Sequence, residues 1–224
     1  MRLFIATCIA VVYSLIGSTA SASTFTFDTD PFAGTTVRTT PGRQIVGGED
    51  FIVFNPASDI FALDATVFGV GNSVSFANDF VGNLPTSDVN VVVLETFDDD
   101  NNPATPFGAG NAANLIAAQV TTPGPGFFVY FNQGLDLPRL VFSTDLNDSS
   151  ADLKILARML NLTGASGRDA MQTFTASNFA FTTESTSVPE PSTLLLLGAG
   201  MVGAGRRWRR KAIDSATCGV DNRS

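Results

Sequence analysis

Gly126-Phe127-Phe128-Val129-Tyr130-Phe131-Asn132 is the stretch on which the reading of the fold turns. Five consecutive aromatic or β-branched residues stand between a glycine and an asparagine, as in a strand with a large apolar surface. A second such run, Pro138-Arg139-Leu140-Val141-Phe142-Ser143-Thr144, follows a loop at 132–137 that contains Gly134. The two runs read as a hairpin. Residues 151–162 fit both an alternating strand and one face of a helix. The strands beside them favour a strand, paired with 138–144 through the loop at 145–150.

Further strands are expected outward from this centre. Residues 24–27 and 179–182 alternate Thr or Ala with Phe. Residues 35–40, 50–54, 73–77 and 90–95 are short β-branched or apolar runs bounded by Gly, Pro, Asn or Asp. Residues 111–120 are Ala-rich and read as a helix, and 168–174 read as a turn or two of another. Short strands at this spacing suggest a mainly β body, an antiparallel β-sandwich or jelly-roll-like single domain with one or two short helices. The chain has 19 Phe, which supply core area without a polar group to satisfy.

The two ends read differently. Met1-Arg2 precedes an apolar run at 3–16, and Ala20-Ser21-Ala22 gives a small-x-small site. This is the pattern of a secretory signal peptide over 1–22, with cleavage expected between Ala22 and Ser23. Residues 23–183 form the extracytoplasmic β-rich body, and 184–187 a polar linker. Then come Val188-Pro189-Glu190-Pro191, an uncharged run at 194–205, and Arg206, Arg207, Arg209, Arg210 and Lys211. The prolines hold 188–191 extended and exposed. The apolar run reads as a hydrophobic helix that anchors in a membrane, with the basic cluster as its cytoplasmic stop. Residues 212–224 are an extra polar tail.

This three-part tail resembles the PEP-CTERM sorting signal of exported proteins in Gram-negative bacteria. The resemblance covers residues 188–211 and leaves the body aside. It implies that the chain is a substrate of exosortase, a membrane-embedded processing enzyme. It also implies an association with exopolysaccharide or a biofilm matrix. The expected partners are therefore the Sec machinery, signal peptidase, exosortase and the membrane, with exopolysaccharide as a further one. The expected location is the cell envelope, the outer surface or the medium, after a transient stay in the inner membrane.

Composition narrows what the body can do. The chain has no histidine, and both cysteines, Cys8 and Cys218, lie outside the body. Histidine-based acid–base chemistry, Ser-His-Asp triads and thiol nucleophiles are thereby excluded. Residues 23–187 hold 18 acidic and 6 basic residues, a net charge of −12. Such a charge disfavours nucleic acid and anionic lipid. The expected role is structural or interactive and not enzymatic. Alternatives are a carbohydrate- or matrix-binding module, with Tyr130 as the one tyrosine of the body, and a carboxylate-dependent hydrolase. Two acidic loops offer hard oxygen ligands for calcium. One holds Asp98, Asp99 and Asp100, the other Asp145, Asn147 and Asp148. No other cofactor is expected.

Overall fold

The computed structural model describes residues 21–183. The chain divides after Thr183 into two units, and the second, Glu184–Ser224, lies outside the described residues. So do the expectations for the leader up to Ala20, the linker, the hydrophobic helix at 194–205 and the polar tail. Among the described residues, no helix is long and apolar enough to cross a membrane.

The body is mainly β, as its sequence suggests. In chain order it comprises β1 (Thr24–Phe27), β2 (Ile45–Val46), β3 (Asp50–Ile52), β4 (Ile60–Asp64), α1 (Ala65–Phe68), β5 (Phe76–Asp79) and β6 (Val91–Leu94). Then follow α2 (Ala109–Gln119), β7 (Gly126–Asn132), β8 (Leu137–Ser143), β9 (Leu153–Met159), α3 (Gly164–Met171) and β10 (Phe179–Thr182). A small sheet has the order β1-β4-β10. A large one runs β2-β9-β8-β7-β6-β5, and β3 joins it beside β2 on β9.

The strand directions correct the expectation of an antiparallel sandwich or jelly roll. Both pairs of the small sheet are parallel. So are β5–β6, β6–β7, β2–β9 and β3–β9. The antiparallel pairs are β7–β8 and β8–β9, the two that the hairpin reading anticipates. The physical reason lies in the connections. Residues 95–125 leave the end of β6, pass through α2 and return to the start of β7. Such a crossover produces a parallel neighbour, whereas a short loop produces an antiparallel one.

Layering explains the apolar runs. One face of the large sheet meets the small sheet through Val91, Val93, Phe127, Val129, Leu140 and Phe142, against Phe61 and Leu63 of β4 and Phe179 of β10. The opposite face sends Val92, Leu94, Phe128, Tyr130 and Val141 against Ala109, Ala112, Ala113 and Ile116 of α2. Successive residues of β6 and β7 thus enter different cores, and every residue of both strands is buried. A strand covered on both faces shows a continuous apolar run. Gly126 opens β7 because the chain passes close there. A Cβ would stand 2.7 Å from the Asn90 carbonyl oxygen and 2.5 Å from Leu146 Cδ1.

Two local readings change. Residues 35–40 do not form a strand; Val37–Thr39 is a 3₁₀ turn. Threonine hydroxyls supply the reason. Thr35 donates to the Phe32 carbonyl, and Thr39 and Thr40 donate to that of Thr36. Such bonds offer the backbone an alternative to a sheet ladder. The second of the two expected helices, α3, begins at Gly164, ahead of the expected 168. Gly167 belongs inside it, since a Cβ there would stand 2.4 Å from the Leu162 backbone.

Candidate functional site

The carboxyl ends of β5, β6 and β7 lie side by side, and polar side chains gather there. Parallel strands commonly present their ligand-facing groups at this edge. Asp79 closes β5 and Glu95 follows β6, with the Glu95 amide donating to the Asp79 carbonyl at 3.0 Å. Burial, and then the nearby Asp79 charge, raise the Glu95 pKa. Asp79 Oδ1 accepts from Phe80 N–H and Asn83 Nδ2. Sequence reading missed this pair because the two residues meet only through a parallel register.

Next to this edge, the structure brings Asp98, Asp99 and Asp100 together. One carboxylate oxygen from each lies within 4.8 Å of the others. All three carboxylates already accept hydrogen bonds. Asp98 Oδ1 accepts from the amides of Asp100 and Asn101, and Oδ2 from Gln133 Nε2 at 3.3 Å. The backbone bonds hold the Asp98 carboxyl below its ordinary pKa. Asp99 Oδ2 accepts from Asn111 Nδ2 of α2 at 2.9 Å. Asp100 accepts from the Asn102 amide and the Thr105 hydroxyl. The cluster therefore ties its own loop to the start of α2 and the end of β7. A calcium ion would have to share these oxygens with the donors that already hold them. The melting temperature is accordingly expected to be equal in calcium and in EDTA; a rise with calcium would show that the ion takes the loop.

The second acidic loop distributes its oxygens. Asp145 Oδ1 accepts from the amides of Gly124 and Asn147. Asn147 Nδ2 donates to the Val120 carbonyl, and Asp148 accepts from the Ser150 amide and hydroxyl. These contacts stitch the β8–β9 loop to the chain between α2 and β7.

Two other candidates take definite positions. Tyr130 is 0 % exposed and packs at 6.2 Å from the Phe107 ring. It offers no surface on which a sugar could stack. A cleft of about 210 Å³ is bordered by Asp30, Asp50 and Lys154. It falls below the roughly 300–1,000 Å³ typical of small-molecule sites, whereas a groove of about 390 Å³ lined by Ser75, Asp88, Asn90 and Thr122 lies within that range.

Sequence reading also missed a buried charge cluster. Glu49 Oε1 accepts from both Arg139 and Arg158. The Glu49 side chain is 5 % exposed and that of Arg139 is 13 %. The Arg158 guanidinium lies 5.2 Å above the Phe51 ring, and Arg139 Nη1 reaches the Tyr130 hydroxyl at 3.4 Å. Burial alone would raise the Glu49 pKa. Its own backbone N–H, the two arginine hydrogen bonds and the Arg139 charge outweigh burial and bring it down to about 2.

Of the cleavage residues, Ala20 falls outside the described residues, while Ala22 and Ser23 lie exposed at their start. The motif residues Val188, Pro189, Glu190 and Pro191 and the basic residues Arg206, Arg207, Arg209, Arg210 and Lys211 lie outside them as well.

A family model, the PEP-CTERM protein-sorting motif, matches residues 187–211. The body lies outside that match. No curated protein and no solved structure matches the chain. The motif supports a secreted protein sorted by exosortase, with exosortase as its processing partner and the cell surface or extracellular space as its destination.

Proposed function

We propose that this chain is an exported structural or interaction protein whose body is delivered to the cell surface by its own C-terminal signal. The observation that carries this reading is the motif match at residues 187–211. The Sec machinery exports the chain, and signal peptidase cuts after Ala22. Residues 194–205 then hold it in the inner membrane, with Arg206–Lys211 on the cytoplasmic side. Exosortase cleaves at or near Val188–Pro191, and the chain acts as substrate throughout. The body then serves in the exopolysaccharide matrix. A body without histidine or cysteine supports an interaction role over catalysis.

Replacing Pro189, Glu190 and Pro191 together by alanine tests the role of the motif in the host. The variant is expected to accumulate uncleaved in the envelope, with loss of the processed form. Processing at the unchanged level would overturn the reading.

A further inference from the structure

The first described strand is held at its start by a buried carboxylate. Ser23 N lies 2.9 Å from Asp59 Oδ1, and the Ile60 amide donates to the Ser23 carbonyl at 2.9 Å. Asp59 is 5 % exposed. Its other donors are the Asn55 amide at 2.9 Å on Oδ2 and the Ser58 hydroxyl at 3.0 Å on Oδ1. Asn178 closes the site from the other side by donating to the Asp59 carbonyl oxygen at 2.8 Å. Burial would raise the Asp59 pKa, but the three hydrogen bonds outweigh it and hold the carboxyl below its ordinary range. It is therefore ionised at neutral pH. Among the described residues, no basic side chain pairs with it. A buried carboxylate normally has a cationic partner.

We propose that Asp59 is the receptor for the new amino terminus that leader cleavage creates at Ser23. This inference rests on the export reading given above. Hydrolysis of the Ala22–Ser23 peptide bond adds one water. The leader leaves with a carboxylate on Ala22, and the body keeps an amine on Ser23 that is protonated at neutral pH. The nitrogen that donates as a neutral amide in the precursor then donates as an ammonium. The contact, charged until then only on the Asp59 side, becomes an ion pair in which donor and acceptor are both ionised. Ala22 and Ser23 are exposed on the leader side of this contact, so the bond to be cut is accessible while its product is held. The consequence is directional. The precursor folds around an unpaired buried carboxylate, and removal of the leader completes the ion pair. Cleavage thus stabilises the body after export and leaves the chain less stable before it.

The sign with pH follows. The Ser23 amine faces Asp59, and the Asn55–Ser58 turn and Asn178 bring no further titratable group to it. An ordinary α-amine titrates near pH ~7.7. Pairing raises that value in the folded state. The contribution is therefore complete below ~7.7 and disappears as pH rises through the raised folded value.

The test compares the processed chain beginning at Ser23 with one retaining a single extra residue, Ala22, which displaces the ammonium. The Ser23 chain is expected to melt higher at pH 6, and the difference is expected to vanish near pH 10. NMR titration of the Ser23 amine should give a pKa about one unit or more above ~7.7, a roughly tenfold or greater preference for the charged form. Asp59→Asn should return the amine to its ordinary value. If that variant does not fold, the titration of the unmutated chain decides. An ordinary amine pKa with equal melting of the two chains would overturn the proposal. N-terminal sequencing of the exported protein separates the two failures. A start other than Ser23 refutes the cleavage site, whereas a Ser23 start with an ordinary amine refutes the Asp59 pairing alone.

Discussion

Phe54→Ala is expected to lower the stability of the body by about 3–5 kcal/mol, the range for truncating a large buried aromatic residue. Phe54 is 0 % exposed and stands in the core between the two sheets. Its ring stacks on Phe61 of β4 at a centroid distance of 4.3 Å, and on Phe174 at 5.4 Å. Alanine would remove both stacked contacts and leave a cavity walled by rigid elements. Its backbone adds to the constraint: Asn161 donates to the Phe54 carbonyl and accepts from its amide. That clamp keeps the site from collapsing, which places the cost high in the range. Chemical denaturation measures it; a loss below about 1 kcal/mol would mean that the two sheets do not share this core.

Glu49→Ala is expected to cost a similar amount, about 3–5 kcal/mol, because removing one partner of a buried ion pair leaves the other charge uncompensated. Arg158 is 29 % exposed and can turn toward water, whereas Arg139 is 13 % exposed and cannot. Among the described residues the buried Arg139 Nε has no hydrogen-bond partner, and the other acceptor at this guanidinium is the neutral Tyr130 hydroxyl, so no second carboxylate replaces Glu49. The same carboxylate sets an acid limit. Its folded pKa of about 2 lies below the ordinary glutamate value, so the unfolded chain binds the proton more tightly. The Glu49 contribution is therefore complete above pH ~4.5 and is lost as pH falls toward ~2. Denaturation at pH 6 and at pH 2.5 should show the difference between wild type and Glu49→Ala narrowing in acid. A difference independent of pH would rule out the ion pair as its source.

The part of the fold legible in sequence was the local part. β7, β8 and β9 follow one another through short loops, and strand neighbours so connected pair antiparallel. Their apolar runs and turn residues carry that information. The parallel pairs depend on what covers each face and on where a long connection returns, which no run of residues encodes. β4 shows the difficulty. Ile60-Phe61-Ala62-Leu63-Asp64 is the centre of the small sheet, yet a short apolar run with no alternation is ambiguous in period.

The sites divide in the same way. The Asp98–Asp100 cluster is contiguous, so its acidity could be read directly. The engagement of its oxygens could not, since Asn111 and Gln133 arrive from α2 and from the end of β7. Glu49 meets Arg139 and Arg158 across 90 and 109 residues of sequence. Nothing in the composition around Glu49 indicates that pairing. The sorting motif, by contrast, is a linear signal. Its residues are contiguous in the chain, so they identify it without a fold.

The measurement that tests the central claim most directly is the intact mass of the protein recovered from the envelope and the medium of its host. A species beginning at Ser23 and ending near Pro191 is the expected result, and it would establish the chain as a processed sorting substrate. A species still carrying residues 206–224 would contradict exosortase processing and leave the C-terminal segment as a plain anchor.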